Sequence, residues 1–289
     1  MHEKSTRLSR RTLLRGGALS LTSGMGAADS EPAPSVTFAA VTDLHYADKP
    51  PAGSRHYRDT IAKLREALAW FEETRVDFLV ELGDCIDQAP DVPTETGYLK
   101  RILTELRRLR KDTHYVLGNH CVSTLTKAQF HAATGGSTGH YSFNRRGFHF
   151  VVLDACFRAD GVPYGANNFD WEDSEIPPEE RDWLRTDLSK TDRKTVVFVH
   201  QRLDVGPPFG IRSAAEVRSI LEQSGKVLAV FQGHEHTGAY GEIGGIHYCT
   251  LSAMVEGPAP DANAYSVVRL YPSGELSLEG RGNQRSYQR

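Results

Sequence analysis

An α/β fold, with sheets covered by helices, is what this sequence predicts. Short apolar runs of strand length alternate with segments whose apolar residues recur at helical spacing. Five of the apolar runs also end in a group able to bind a metal ion. In open α/β sheets, the carboxyl ends of the strands are where ligands bind.

The elements follow in order. Residues 36–43, VTFAAVTD, read as a buried strand ending in a carboxylate. Ile61, Leu64, Leu68 and Phe71 recur at helical spacing and predict a helix over about 57–75. Residues 77–84, DFLVELGD, form a second apolar run ending in Gly-Asp. Leu99, Ile102, Leu103 and Leu106 mark a second helix, and THYVLGNH (113–120) a third strand. HYSFNRRGFHFVVLDA (140–155) reads as two strands around an Arg-Gly turn. Residues 156–178 then make a long polar, aromatic-rich loop, a length usual for functional or disordered segments. PEERDWLRTDLSK supplies a helix, TVVFVH (195–200) a strand ending in histidine, and Val217, Ile220 and Leu221 another helix. KVLAVFQGHEH is the next strand, and the C-terminal part reads as successive antiparallel strands with a hairpin turn at PSGE.

The composition is that of a soluble globular chain. Of 289 residues, 39% are hydrophobic and 25% charged. The formal net charge of −3 carries no basic footprint for a nucleic acid polymer. The first residues stand apart. SRRTLLR followed by GGALSLTSGMGAA has the order of a twin-arginine export signal, with a small-residue cleavage region near Ala27 and Ala28. The expected organisation is a signal and linker over 1–34 and one catalytic domain over 35–289. The expected location is periplasmic or extracellular. The apolar stretch is too short and Gly-rich for a stable membrane anchor. Cys85, Cys121, Cys156 and Cys249 form no CxxC pair, which argues against a structural zinc ribbon. They are read as small buried thiols. The oligomeric state is left open.

The strand ends carry the chemistry. Asp43 and His45 follow the first, Asp84 and Asp87 the second, Asn119 and His120 the third. His200 ends a later run, and His234 and His236 the next. On a strand, residues i and i+2 share a face, so the last two imidazoles are expected to face one site. The donors mix imidazole, carboxylate and one amide oxygen without thiolate. That set suits Mn, Fe or Zn rather than a soft ion, and it is large enough for two ions.

As a set, DLH (43–45), GDCID (83–87), GNH (118–120), VH (199–200) and GHEH (233–236) resemble the motifs of the calcineurin-like metallophosphoesterases. The resemblance implies a four-layer α/β/β/α sandwich, two mixed sheets flanked by helices, with a dimetal site at the sheet edge. It implies that Asp43, His45, Asp84 and His236 hold one ion. Asp84, Asn119, His200 and His234 would hold the other, with Asp84 bridging. It further implies that His120 binds phosphoryl oxygens or protonates the leaving group. Asp87 is read as orienting a ligand or a water, or else as a plain helix N-terminal acid. The family has an acid after Gly-Asn-His, expected to orient the histidine; here that position is Cys121.

A narrower resemblance, to the manganese-dependent ADP-ribose/CDP-alcohol diphosphatases, rests on DLHYADK with RHYRDTI, HYSF, FHFVVLDA, GHEHTGAY, GIHYCTL and VVRLYPSG. It implies a hydrolase that cleaves a phosphodiester or phosphoanhydride of a small, nucleotide-type phosphorylated substrate, by a hydroxide bridging the two ions; the leader adds the expectation of export. Arg55, Tyr57 and Arg58 are candidate substrate contacts, or a solvated helix start. The loop with Tyr164, Asn167, Asn168, Phe169 and Trp171 is a candidate cap. Tyr248 and Cys249 are read as core. Two alternatives stand: a phosphomonoesterase scavenging phosphate, and a non-catalytic protein-binding scaffold on the same fold.

Overall fold

Two six-stranded sheets, stacked face to face and flanked by helices, make the four expected layers. The computed structural model describes residues 33–136 and 139–289. The export expectation falls on residues 1–32, outside the described residues.

The first sheet runs β12-β11-β10-β1-β2-β3. β1 (Val36–Val41), β2 (Phe78–Glu81) and β3 (Asp112–Tyr115) lie parallel and are joined by α1 (Thr60–Thr74) and α2 (Val92–Leu106). The second runs β4-β5-β6-β7-β9-β8. In it β5 (Phe148–Val152), β6 (Thr195–Phe198), β7 (Val227–Gln232) and β9 (Ile246–Thr250) are parallel. Its crossovers carry α4 (Pro178–Ser189) and α5 (Ala214–Ser224). Antiparallel edges are β4 (Tyr141–Arg145) and β8 (Ala239–Ile243).

Side-chain alternation along the strands divides the core. On β1, Phe38 and Ala40 face the space between the sheets, while Ala39 and Val41 face α1 and α2. Between the sheets an aromatic block forms: Phe38 stacks on Phe78 at 5.2 Å and meets Phe198 and Phe231 edge-on at 5.5 Å. Leu64, Leu68, Phe71, Leu99 and Ile102 cover the outer face of the first sheet; Leu184, Val217 and Leu221 cover that of the second.

Two features depart from the expectation. α3 (Lys127–Thr134) is a helix with one buried apolar residue, Phe130, so its hydrophobic period is too weak to read. A capping box from Thr126 and Gln129 starts it. The C-terminal strands are not one antiparallel series. β9 lies parallel to β7, whereas β10 (Ala264–Leu270), β11 (Leu276–Gly282) and the short β12 (Tyr287–Gln288) return to the first sheet, β10 pairing antiparallel with β1. The Arg146–Gly147 turn behaves as expected: both residues have positive φ, 45° and 89°, as a two-residue hairpin turn requires.

Candidate dimetal centre

The carboxyl ends of β1, β2, β6 and β7 open on one edge shared by both sheets. The loops there are tied to one another within each sheet and, through His200, across the interface. The amide of Asp43 donates to Gly83 O at 3.0 Å, and that of His45 to Asp84 O at 2.8 Å. From the other sheet, His200 Nδ1 sits 2.8 Å from Leu82 O, and the Gly233 amide donates to His200 O at 2.9 Å.

The backbone is strained where the donors sit. Asp43, His45, Asp84 and His234 all have left-handed φ, between 43° and 69°. Such conformations cost on the order of 1 kcal/mol or more each and persist when the surroundings over-determine them. His234 also shows why the expected strand geometry does not apply: β7 ends at Gln232, and the chain turns before the two histidines. Two motif glycines have a steric cause. A Cβ on Gly118 would overlap the Asp84 carboxylate, and one on Gly233 would overlap the Thr42 hydroxyl and Asp43 carboxylate.

All seven predicted donors converge. His45 Nε2 lies 3.5 Å from Asp43 Oδ1 and 3.6 Å from Asp84 Oδ2. His200 Nε2 is 3.2 Å from Asp84 Oδ2, and His236 Nε2 is 3.4 Å from Asp43 Oδ1. Two adjacent clusters result, Asp43–His45–His236 and Asp84–His200–His234, each with its donor atoms within 4.8 Å. Asp43 Oδ1, both ring nitrogens of His45, Asn119 Oδ1, His200 Nε2 and His234 Nε2 are buried and have no hydrogen-bond partner. Buried polar atoms are rarely left so, and five of the donor residues aim such atoms at one small space. That is the signature of a pair of cation positions, and the donor set fits them.

The electrostatics agree. Burial opposes protonation of His200, but the Asp84 and Asp43 carboxylates outweigh it and push its pKa up to about 10. Burial holds His45 down to about 4 and, with His200 beside it, His234 down to about 3. Burial would raise Asp43 and Asp84; neighbouring imidazoles hold both well below the usual carboxylate range. Two buried carboxylates thus require positive charge, which cations bound by neutral imidazoles supply.

His120 and Asp87 form a pair beside the clusters. His120 Nδ1 is 2.8 Å from Asp87 Oδ1, and the His120 amide donates to Asp84 Oδ1 at 2.7 Å. Lys49 Nζ reaches Asp87 Oδ2 at 3.2 Å. Burial would raise Asp87, but His120, His45 and Lys49 hold it low and ionised. The acid absent after Gly-Asn-His is therefore replaced in space by Asp87, three residues beyond Asp84. Cys121 instead points into the core, its Sγ 3.8 Å from that of Cys85. All four cysteines are free and buried.

A cavity of about 380 Å³ opens over the donors, lined by Arg55, His120, Trp171, Phe209 and Glu235 among others. Of the candidate substrate contacts, only Arg55 lines it. Tyr57 is buried beneath the Lys49 ammonium, which sits 4.2 Å from its ring, and Arg58 pairs with Asp48 on the exposed surface at 2.6 Å. Both turn away because residues 55–58 lead into α1 rather than along the cavity wall. From the long loop, Trp171 reaches the cavity and Phe169 packs 5.6 Å from the His120 ring. Tyr164 stays internal, donating to Asp170 O and Asp173 O, and Asn167 meets Gln88. Tyr248 and Cys249 are core, as expected.

Sequence reasoning missed Phe209 and Glu256. Glu256 Oε1 contacts His236 Nδ1, the carboxylate–imidazole arrangement that orients metal-binding histidines. Its position is set by buried Lys63, whose ammonium donates to the carbonyls of Met254, Glu256 and Gly257 at 2.6–3.0 Å. Glu256→Gln is expected to weaken Mn²⁺ uptake roughly 10–100-fold. A Mn²⁺ titration of the melting temperature reads this directly; an unchanged midpoint would remove Glu256 from the site.

The family model for calcineurin-like phosphoesterases matches residues 36–238. The chain belongs to that family, and it is a metal-dependent phosphohydrolase with a dimetal centre. Among individual proteins it is similar to the manganese-dependent ADP-ribose/CDP-alcohol diphosphatases of Oryza sativa subsp. japonica, 26% identical over 86% of this chain and 91% of the relative. The same enzyme of Xenopus tropicalis is 26% identical over 86% and 92%. A dimetal phosphatase from Danio rerio shares the fold, with TM-score 0.79, 22% identity, and coverage of 88% of this chain and 98% of that one. Among the described residues no helix is long and apolar enough to cross a membrane.

Proposed function

We propose that this enzyme hydrolyses a phosphoanhydride or phosphodiester bond in a small nucleotide-type substrate. The observation that carries the reading is the convergence of seven donors, with unpartnered buried atoms, beside an oriented histidine at the floor of an open cavity. The substrate type is supported by the named diphosphatases, to which most of the chain is similar.

In this reading Asp43, His45, Asp84 and His236 hold one divalent ion. Asp84, Asn119, His200 and His234 hold the other, with Asp84 common to both. Mn, Fe and Zn all suit these donors. Bound there, two ions neutralise charge on the phosphoryl oxygens and lower the pKa of water. The chain's own groups do the rest. His120 is held through Nδ1 by Asp87, which leaves Nε2 for the cavity, where it donates to a phosphoryl oxygen or to the leaving oxygen. Arg55 supplies a cation at the wall.

The test is turnover of ADP-ribose and bis-p-nitrophenyl phosphate against p-nitrophenyl phosphate, in Mn²⁺. Preference for the first two is expected; turnover of the monoester alone would favour phosphate scavenging. The intact donor set speaks against a non-catalytic scaffold. We further propose export by the leader at residues 1–34. Replacing Arg10 and Arg11 by lysine should keep the protein in the cytoplasm, and undiminished export of that variant would refute the assignment.

A further inference from the structure

The cavity is chemically lopsided. Among the described residues the large hydrophobic side chains exposed to solvent are Val162, Trp171 and Phe209, at 42%, 39% and 38%. Two of these three line the cavity. Their rings meet at 5.6 Å and tilt by 49°, so they form an open notch and not a closed stack. Both lie against one histidine: Trp171 is 6.0 Å and Phe209 6.1 Å from the His234 ring. Exposed aromatic faces at a pocket mouth cost solvation unless a flat apolar group covers them.

Arg55 belongs to the other end. Its backbone bridges to Glu256, and Glu256 contacts His236. Arg55 lines the cavity, and among the described residues the carboxylate that feels its charge is Glu256, which is also in contact with His236. A guanidinium at the cavity wall is a receptor for a phosphate or carboxylate. His236 belongs to the Asp43 cluster and His234 to the Asp84 cluster, so the aromatic notch adjoins one cation position and Arg55 neighbours the other.

We propose that the Trp171–Phe209 notch takes the nucleobase, that Arg55 takes the phosphate farther from it, and that hydrolysis therefore occurs at the phosphorus nearer the base. This rests on the substrate class proposed above. In a base–ribose–phosphate–phosphate–R chain held at both ends, the base-proximal phosphorus is the one that falls over the metal clusters and within reach of His120. A water oxygen forms a bond to that phosphorus, and a proton of the water is released. The bond from the same phosphorus to the bridging oxygen breaks. The bridging oxygen leaves with its electron pair on the distal phosphate, at Arg55. Attack at either phosphorus yields the same two products, so only the origin of the oxygen distinguishes them.

The experiment uses the full chain loaded with Mn²⁺. ADP-ribose hydrolysed in oxygen-18 water should place the label in AMP; label in ribose 5-phosphate would overturn the assignment. A second arm needs no turnover. By calorimetry, Trp171→Ala should weaken AMP binding roughly tenfold or more, the worth of one stacked base, and leave ribose 5-phosphate binding unchanged. Arg55→Ala should weaken ribose 5-phosphate binding. Equal losses of both ligands with Trp171→Ala, or none, would overturn the notch as a base site. Absent ADP-ribose hydrolysis with the Trp171→Ala effect intact would refute the substrate reading and leave the base site standing.

Discussion

Asp84→Asn is expected to lower kcat/KM on bis-p-nitrophenyl phosphate by about 10³-fold, with the fold intact. A bound ion contributes several kcal/mol of transition-state charge stabilisation, and about 4 kcal/mol corresponds to a thousandfold. Asp84 Oδ2 lies 3.6 Å from His45 and 3.2 Å from His200, donors that belong to different cation positions. An amide there loses the charge that attracts both ions and presents N–H to at least one of them. Elemental analysis should find fewer than two ions per chain. Oδ1 accepts the His120 amide, a bond the asparagine oxygen can still make, so circular dichroism should be unchanged. Near-normal turnover with two ions bound would sink the assignment of Asp84 as the shared ligand.

His120→Ala is the second large effect, expected at about 10²–10⁴-fold on substrates with poor leaving groups, the usual contribution of a general acid. The loss should shrink for p-nitrophenolate, which leaves without a proton. A loss independent of the leaving group would instead assign His120 to charge stabilisation at the phosphoryl oxygens. Asp87→Asn separates the pair. Asp87 touches His120 through a 2.8 Å bond and is kept ionised by His120, His45 and Lys49, so it acts as a positioning residue. Removing its charge should cost roughly 10–100-fold in kcat, and the loss should shrink for p-nitrophenolate as it does for His120→Ala, because Asp87 acts through that imidazole. A rate loss equal for every leaving group would mean that Asp87 serves structure alone.

Local physics made much of this legible in advance. β1, β2, β6 and β7 are short apolar runs because both faces are covered, by the aromatic block on one side and helices on the other. Their polar ends stand out against that background, which is why six of the donors could be listed from the chain alone; the seventh, Asn119, follows β3. α3 could not be, because a helix with a single buried apolar residue leaves almost no periodic signal. The path of the C-terminal hairpin was also hidden. Residues 264–282 read as a hairpin of two short strands, and nothing local says that β10 pairs with β1 about 230 residues away.

Sequence by itself determined the layered α/β class, the donor types and their order, because burial period and side-chain chemistry are properties of short segments. Only the tertiary structure decided which of those groups share a space. It placed Asp87 against His120, where Cys121 had left the orienting acid in doubt. It brought Phe209 to Trp171 and Glu256 to His236, and it turned Tyr57 and Arg58 away. Those outcomes depend on how loops from two sheets meet, and contacts between residues tens to hundreds of positions apart leave no periodic trace in a single chain.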